Sequence, residues 1–183
     1  MNKIIYFIIA LVVGSVICFF IGGVALAAIF FMIWIDKGII GFGDILHKMG
    51  IEITTIATLF LGILFGPVFA FFFAIISIVL AHGISALLFP DAPSEWPPFV
   101  PHPYNAIDAL GAVAAAALTG TSLFNTLLIV LLVKSGLFIV FNMLALGKPP
   151  NVIGVFVNVV FNVLIFLPLA GLFIAVTGAN LAL

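Results

Sequence analysis

From Val68 to Leu80 the chain offers no polar face at all: Ser77 is the only hydroxyl in thirteen residues, and the rest are aliphatic, aromatic or alanine. A half-buried strand would alternate polar and apolar residues, and a surface helix would carry a polar stripe. A run that is apolar all round is solvated by lipid or buried by other apolar helices. The whole chain repeats the pattern, with 66% hydrophobic residues, 6% charged residues and no arginine in 183 positions. A soluble domain of this size cannot hide that much apolar surface. The expected fold is therefore all-α, a polytopic transmembrane helical bundle forming one integral membrane domain over residues 1–183, with lipid as its first partner.

Spans of roughly 20 residues leave room for five or six helices and little else. The first apolar segment, Ile4 to Ile35, exceeds one upright span and reads as a tilted helix or one broken near Gly22-Gly23. It is too long for a signal peptide, so it reads as a retained first span in a multi-pass protein of the cell membrane. A polar connector follows from Asp36 to Gly50. Gly66-Pro67 then divides the next stretch into a short second span, Ile51 to Phe65 with Glu52 at its edge, and a third, Pro67 to Phe89.

Pro90 to Tyr104 is proline-rich and reads as a surface loop with Trp96 at the headgroup level. The fourth span starts at Asn105, the fifth covers Leu123 to Leu146, and the sixth runs from Val152 to about Val176 with a possible kink at Pro168. The count is six, or five if 105–122 is re-entrant. With six spans, the lysines at Lys37, Lys48 and Lys148 share one side, which the positive-inside rule places in the cytoplasm with both termini outside.

Polar groups inside apolar spans carry the chemical information. Lys134 lies within Leu127 to Val140, where an unpaired ammonium is costly, and its expected partner is Asp108 in the fourth span. The pair reads as an interhelical ion pair or as a contact for a substrate or ion. Asn158 and Asn162 are four apart on one helical face, and Asn142 and Asn125 in the fifth span are placed to meet them. Carboxamides in a membrane hold helices together at roughly 0.6 to 2 kcal/mol each, or line a ligand pocket. Gly111 with Ala115, and Ala112 with Ala116, form a small-residue face for close helix packing.

Other chemistries find less support. Cys18 sits alone in an apolar run, and His47, His82 and His102 are scattered, so no metal or cofactor is expected. No nucleotide-binding loop or basic patch suggests nucleic acid. Gly41-Phe42-Gly43-Asp44 matches the short signature around one catalytic aspartate of intramembrane aspartyl proteases, which need two carboxylates sharing a proton. Asp36 lies only eight residues upstream and on no separate helix; Asp108 is the other candidate second aspartate.

The stretch Leu61-Gly62-Ile63-Leu64-Phe65-Gly66-Pro67-Val68-Phe69-Ala70, continued by Gly83-Ile84-Ser85-Ala86-Leu87-Leu88-Phe89-Pro90, resembles the substrate-binding membrane subunits (S-components) of energy-coupling factor vitamin transporters. The resemblance covers about a quarter of the chain. It implies six helices, termini facing the cytoplasm, a small-molecule pocket near the external face lined by spans four to six, and transport driven by separate ATPase subunits. It also implies docking through the small-residue surface around Gly23 and Ala27, although the family's alanine-x-x-x-alanine is absent there. The reading expected first is therefore a membrane subunit that binds a vitamin, precursor or metal without its own ATPase. The alternative is an integral subunit of a respiratory, hydrogenase-type or methyltransferase complex that contributes to an ion path. An intramembrane aspartyl protease is the third, and the chain is more readily a binding or structural protein than an enzyme.

Overall fold

The computed structural model describes residues 3–40, 45–88 and 97–181. It is all-helical: α1 (Lys3–Ile35) continues into a π-helical turn (Asp36–Ile40), followed by the short α2 (Ile45–Lys48), α3 (Thr54–Phe65), α4 (Pro67–Leu88), α5 (Pro103–Ala117), α6 (Leu123–Leu144) and α7 (Val152–Thr177). The helices containing the first, third, fifth and sixth expected spans are long and apolar enough to cross a membrane. The other two, α3 and α5, have 12 and 15 residues. At 1.5 Å per residue they reach about 18 and 22 Å, short of the roughly 30 Å hydrocarbon layer. They pack in the centre, where neighbouring helices cover them.

The first segment is broken where the sequence suggested, and the break reverses the chain. Gly22 and Gly23 leave helical geometry, Gly23 with φ 69° and ψ −164°, a conformation open essentially to glycine. The Phe7 and Trp34 rings are 5.6 Å apart, whereas a straight helix would separate them by about 40 Å. Gly14 faces the Phe30 ring and Gly38 faces the Phe7 ring, each so closely that a Cβ would lie 2.3 Å from a ring carbon. Residues 3–21 and 24–40 are thus the two arms of an antiparallel hairpin. Phe7, Leu11 and Cys18 form the buried face of the outer arm, at helical spacing, and most of its other side chains are exposed.

The hairpin corrects the expected placement of the termini. With two arms in the first segment, the N-terminal end lies beside the connector after the second arm, and the C-terminal end of α7 lies at the opposite end of the bundle. Lys3, α2 with Lys48, and Lys148 in the α6–α7 turn therefore share one end. At the other end the described segments, Gly22-Gly23, Gly66, 118–122 and 178–181, carry no charge.

The core is built around α3. Its residues 54–62 are all buried, and its packing against α5 is set by Gly62, where a Cβ would stand 2.0 Å from the Ala112 carbonyl oxygen and 3.1 Å from the Ala115 Cβ. The expected small-residue face of α5 is used inside the chain: Ala112 and Ala115 receive α3, Gly111 faces Lys134, and Ala116 is buried in the same helix. Phe60 stacks on Phe173 of α7 with centroids 4.2 Å apart. Gly50, ahead of α3, sits against the Gly154 carbonyl and the Asn158 amide near the start of α7. Gly154 and Phe173 are about 28 Å apart along α7, so the chain descends into the bundle before α3 begins. Topology reporters test the hairpin. Fusions before Lys3 and in the Lys148 turn are expected on one side of the membrane and a fusion after Gly178 on the other. N- and C-terminal fusions on the same side would contradict it.

Candidate functional site

Four charged side chains meet in the interior as a closed ring. The Lys37 ammonium, on the π-helical turn, lies 3.2 Å from Asp108 Oδ2 and 3.3 Å from Glu52 Oε2. The Lys134 ammonium lies 2.6 Å from Asp108 Oδ1 and 3.2 Å from Glu52 Oε1. Each lysine therefore bridges both carboxylates, and each carboxylate offers one oxygen to each lysine. Two positive and two negative charges alternate, so the ring is neutral as a unit. Its members come from four elements: the π-helical turn, the residues before α3, α5 and α6. Lys134 sits midway along α6, and Gly111 on the facing helix leaves room for its methylene stem, 2.9 Å from a Cβ at that position.

Asp36 adds a third carboxylate, with Oδ2 3.6 Å from the Lys37 ammonium. Its main role is different. The Ile53 N–H donates to Asp36 Oδ1 at 2.8 Å, and the Thr54 hydroxyl donates to Oδ2. Ile53 precedes α3 without a side-chain cap of its own, so a carboxylate from a distant segment takes one backbone N–H at the helix start and complements the positive end of the helix dipole. His47 Nε2 lies 3.6 Å from the same Asp36 oxygen. The Asp36 carboxylate is thus hydrogen-bonded to the start of α3 and lies equally far from the Lys37 ammonium of the ring and from the His47 imidazole.

Threonines complete the first turn of α3. Thr55 donates to Glu52 Oε1 at 3.0 Å and accepts from the Lys134 ammonium at 2.5 Å, while Thr58 turns its hydroxyl back to the Thr54 carbonyl. Beyond them, toward the uncharged end, Leu59, Phe60, Leu61, Leu127 and Phe166 are fully buried or nearly so. The ring is closed off on that side by an apolar plug. Toward the other end Glu52 and His47 retain 19% and 17% of their side-chain exposure, against 6–9% for Lys37, Asp108 and Lys134.

Of the residues singled out in the sequence, Asp108 and Lys134 meet as expected. Asn142 accepts from the Tyr104 hydroxyl at 2.9 Å and donates to the Phe138 carbonyl, tying the start of α5 to α6. Asn158 donates to the Gly50 carbonyl at 3.0 Å, and Asn162 donates to the Asn158 carbonyl. Asn142 and Asn158 therefore brace α5 against α6 and the descending connector against α7, while Asn162 bonds within α7 and its Oδ1 is buried without a hydrogen-bond partner among the described residues. Gly41 to Asp44, Trp96 and the first prolines of the loop lie outside the described residues. Among the described residues no group of three or more His, Cys, Asp or Glu is placed to hold a metal ion.

Asp36 and Lys37 in the polar connector and Glu52 at a span edge join the ring region without having been expected beside Asp108 and Lys134. One signal points to them. Once Gly22-Gly23 is taken as a reversal, the returning helix extends to about residue 40, and Asp36-Lys37 falls within its apolar stretch, between Ile35 and Gly38-Ile39-Ile40.

Comparison of the chain with protein-family models, curated proteins and solved structures finds no match. The site must therefore be read from its own chemistry. Replacing Asp36 by alanine is expected to cost about 0.5–2 kcal/mol for the lost cap alone and to loosen the start of α3. Hydrogen exchange would check this: the Ile53 to Ala57 amides should exchange faster while those of α6 hold. Unchanged exchange at Ile53 would rule out the capping role.

Proposed function

We propose that the chain is a multi-pass membrane protein that binds a small charged solute at the Lys37–Asp108–Lys134–Glu52 ring, as the binding subunit of a transport system whose energy comes from other chains. The observation that carries this reading is the ring's setting. Ionisable residues inside membrane bundles mark substrate or ion sites by default. Here two of the four, Lys37 on the π-helical turn and Glu52 just ahead of α3, stand where the backbone is not α-helical and a short helix starts inside the bundle. Such interruptions at membrane depth are tolerated where they line a site, and interrupted helices build many transporter binding sites. The apolar plug beyond Thr58 and the partial exposure at Glu52 fit a site open to one side at a time.

The lysine distribution supports an orientation with the ring end in the cytoplasm. That differs from the S-components, whose pocket lies near the external face and whose termini share the cytoplasmic side. The proposal accordingly rests on the ring rather than on the resemblance.

A second reading has its own observation. Every ring charge is already paired within the ring, and two surface grooves, of about 630 and 530 Å³, are lined almost entirely by apolar side chains and contain no ring residue. This favours an integral subunit of a larger membrane assembly in which the ring holds helices together or relays protons. Mild-detergent purification from the native membrane with mass spectrometry separates the two. The proposal expects ATPase coupling subunits or a retained small molecule. Stoichiometric membrane subunits carrying redox or methyl-transfer machinery would overturn it in favour of the second reading.

A further inference from the structure

Glu52 differs from the other ring members in three ways. It is the only one placed outside a helix, in the segment that leads into α3. It is the most exposed, at 19% of its side chain against 7% for Asp108. Its link to Lys134 is looser, 3.2 Å against 2.6 Å for Asp108, while the two carboxylates stand about equally far from Lys37, at 3.3 and 3.2 Å. Glu52 stands on the non-helical segment ahead of α3 and keeps more side-chain exposure than Asp108, which stands within α5, so Glu52 is the carboxylate better placed to leave the ring.

The groups around the Glu52 carboxylate are those of an anion site. Two ammonium groups converge on it, one oxygen each, and the Thr55 hydroxyl donates to Oε1 at 3.0 Å. Two positive charges and a hydroxyl are the donor set that a small carboxylate would meet on entering from solvent. If Glu52 withdrew with nothing in its place, Lys134 would keep Asp108 as its one carboxylate partner, while Lys37 would keep Asp108 and, at 3.6 Å, Asp36; a buried ammonium that loses a partner is unfavourable. An incoming monocarboxylate gives Lys134 its second carboxylate again.

We infer that Lys37, Lys134 and Thr55 form a binding site for a small organic carboxylate, and that Glu52 fills this site from within the chain until such an anion displaces it. The inference deepens the binding-subunit reading and rests on it for its biological use, but the site itself is testable alone. Because Glu52 competes for its own site, the wild-type chain binds simple carboxylates weakly, and removing the Glu52 carboxylate exposes the site.

The experiment is thermal unfolding of the full chain, purified in detergent, with sodium acetate, sodium chloride at equal ionic strength, or neutral acetamide. Glu52→Ala is expected to lower Tm by about 6–20 °C. Acetate should recover at least half of that loss with a saturable dose response, as a ligand selective for the folded state does. Chloride and acetamide should not, and the double variant E52A/K134M should lose the response. An acetate response in E52A no larger than that of chloride would overturn the inference, as would an equal response in wild type. Glu52→Gln keeps the side-chain shape and covers the case in which E52A does not fold. Line broadening of 13C-acetate should saturate with E52Q at a concentration at least tenfold below that needed with wild type; identical behaviour of the two would overturn it. Acetate binding by these variants upholds the site whichever subunits co-purify, so failure of the transport reading shows in the mass spectrometry alone.

Discussion

Two ammonium groups and two carboxylates, placed alternately inside an apolar bundle, set the terms for the rest of this structure. A single lysine at the centre of a membrane helix costs about 2.5–3.5 kcal/mol on insertion scales, and a buried charge that loses its partner costs about 3–5 kcal/mol. Lys134 alone would make α6 a poor span. The ring removes that difficulty collectively, because each charge has two opposite neighbours within 3.3 Å and none can leave without stranding the others. Such a ring fixes geometry more than it adds stability, since desolvation offsets much of the attraction.

Its geometric demands run through the fold. Glu52 and Lys37 must arrive at the level of Asp108 and Lys134, so the chain descends past Gly50 and α3 starts inside the bundle. A helix starting there needs acceptors inside the bundle, and Asp36 supplies them to the Ile53 N–H and the Thr54 hydroxyl from the preceding segment. With α3 short and central, its packing depends on direct backbone approach, which Gly62 allows at the Ala112 carbonyl. The Gly22-Gly23 reversal brings the outer arm of α1 over the inner one, so that Phe7 covers Trp34 and Gly38 one turn from the ring.

Much of this was legible before the structure. Apolar runs without a polar face fix the membrane class, and Gly66-Pro67, the proline-rich loop and Gly147-Lys148-Pro149-Pro150 mark helix boundaries that the structure keeps. Lys134 and Asp108 announce themselves because each stands inside an apolar stretch. The rest was hidden for two reasons. Asp36, Lys37 and Glu52 are contiguous with a polar connector, and sequence alone does not say whether such a segment lies in solvent or dips inward. Gly22-Gly23 marked a break, but only the Phe7–Trp34 and Gly14–Phe30 contacts reveal that it is a full reversal, which moves the N-terminal end to the ring side. The asparagines read equally as helix contacts or as pocket walls because amides present donors and acceptors in any setting. Their amide N–H groups go to the Phe138, Gly50 and Asn158 carbonyls, and Asn162 Oδ1 stays buried without a partner among the described residues.

The central claim is that these four charges act as one unit, and a double-mutant cycle on the tightest pair measures it directly. Lys134→Met, Asp108→Asn and the double variant would be unfolded thermally or chemically under identical conditions. The account predicts that each single change costs about 3–5 kcal/mol and that the double change costs clearly less than their sum, because each single change strands a charge that the double removes. Additive losses, or single losses below about 1 kcal/mol, would mean that the two side chains are solvated independently and that no buried ring exists.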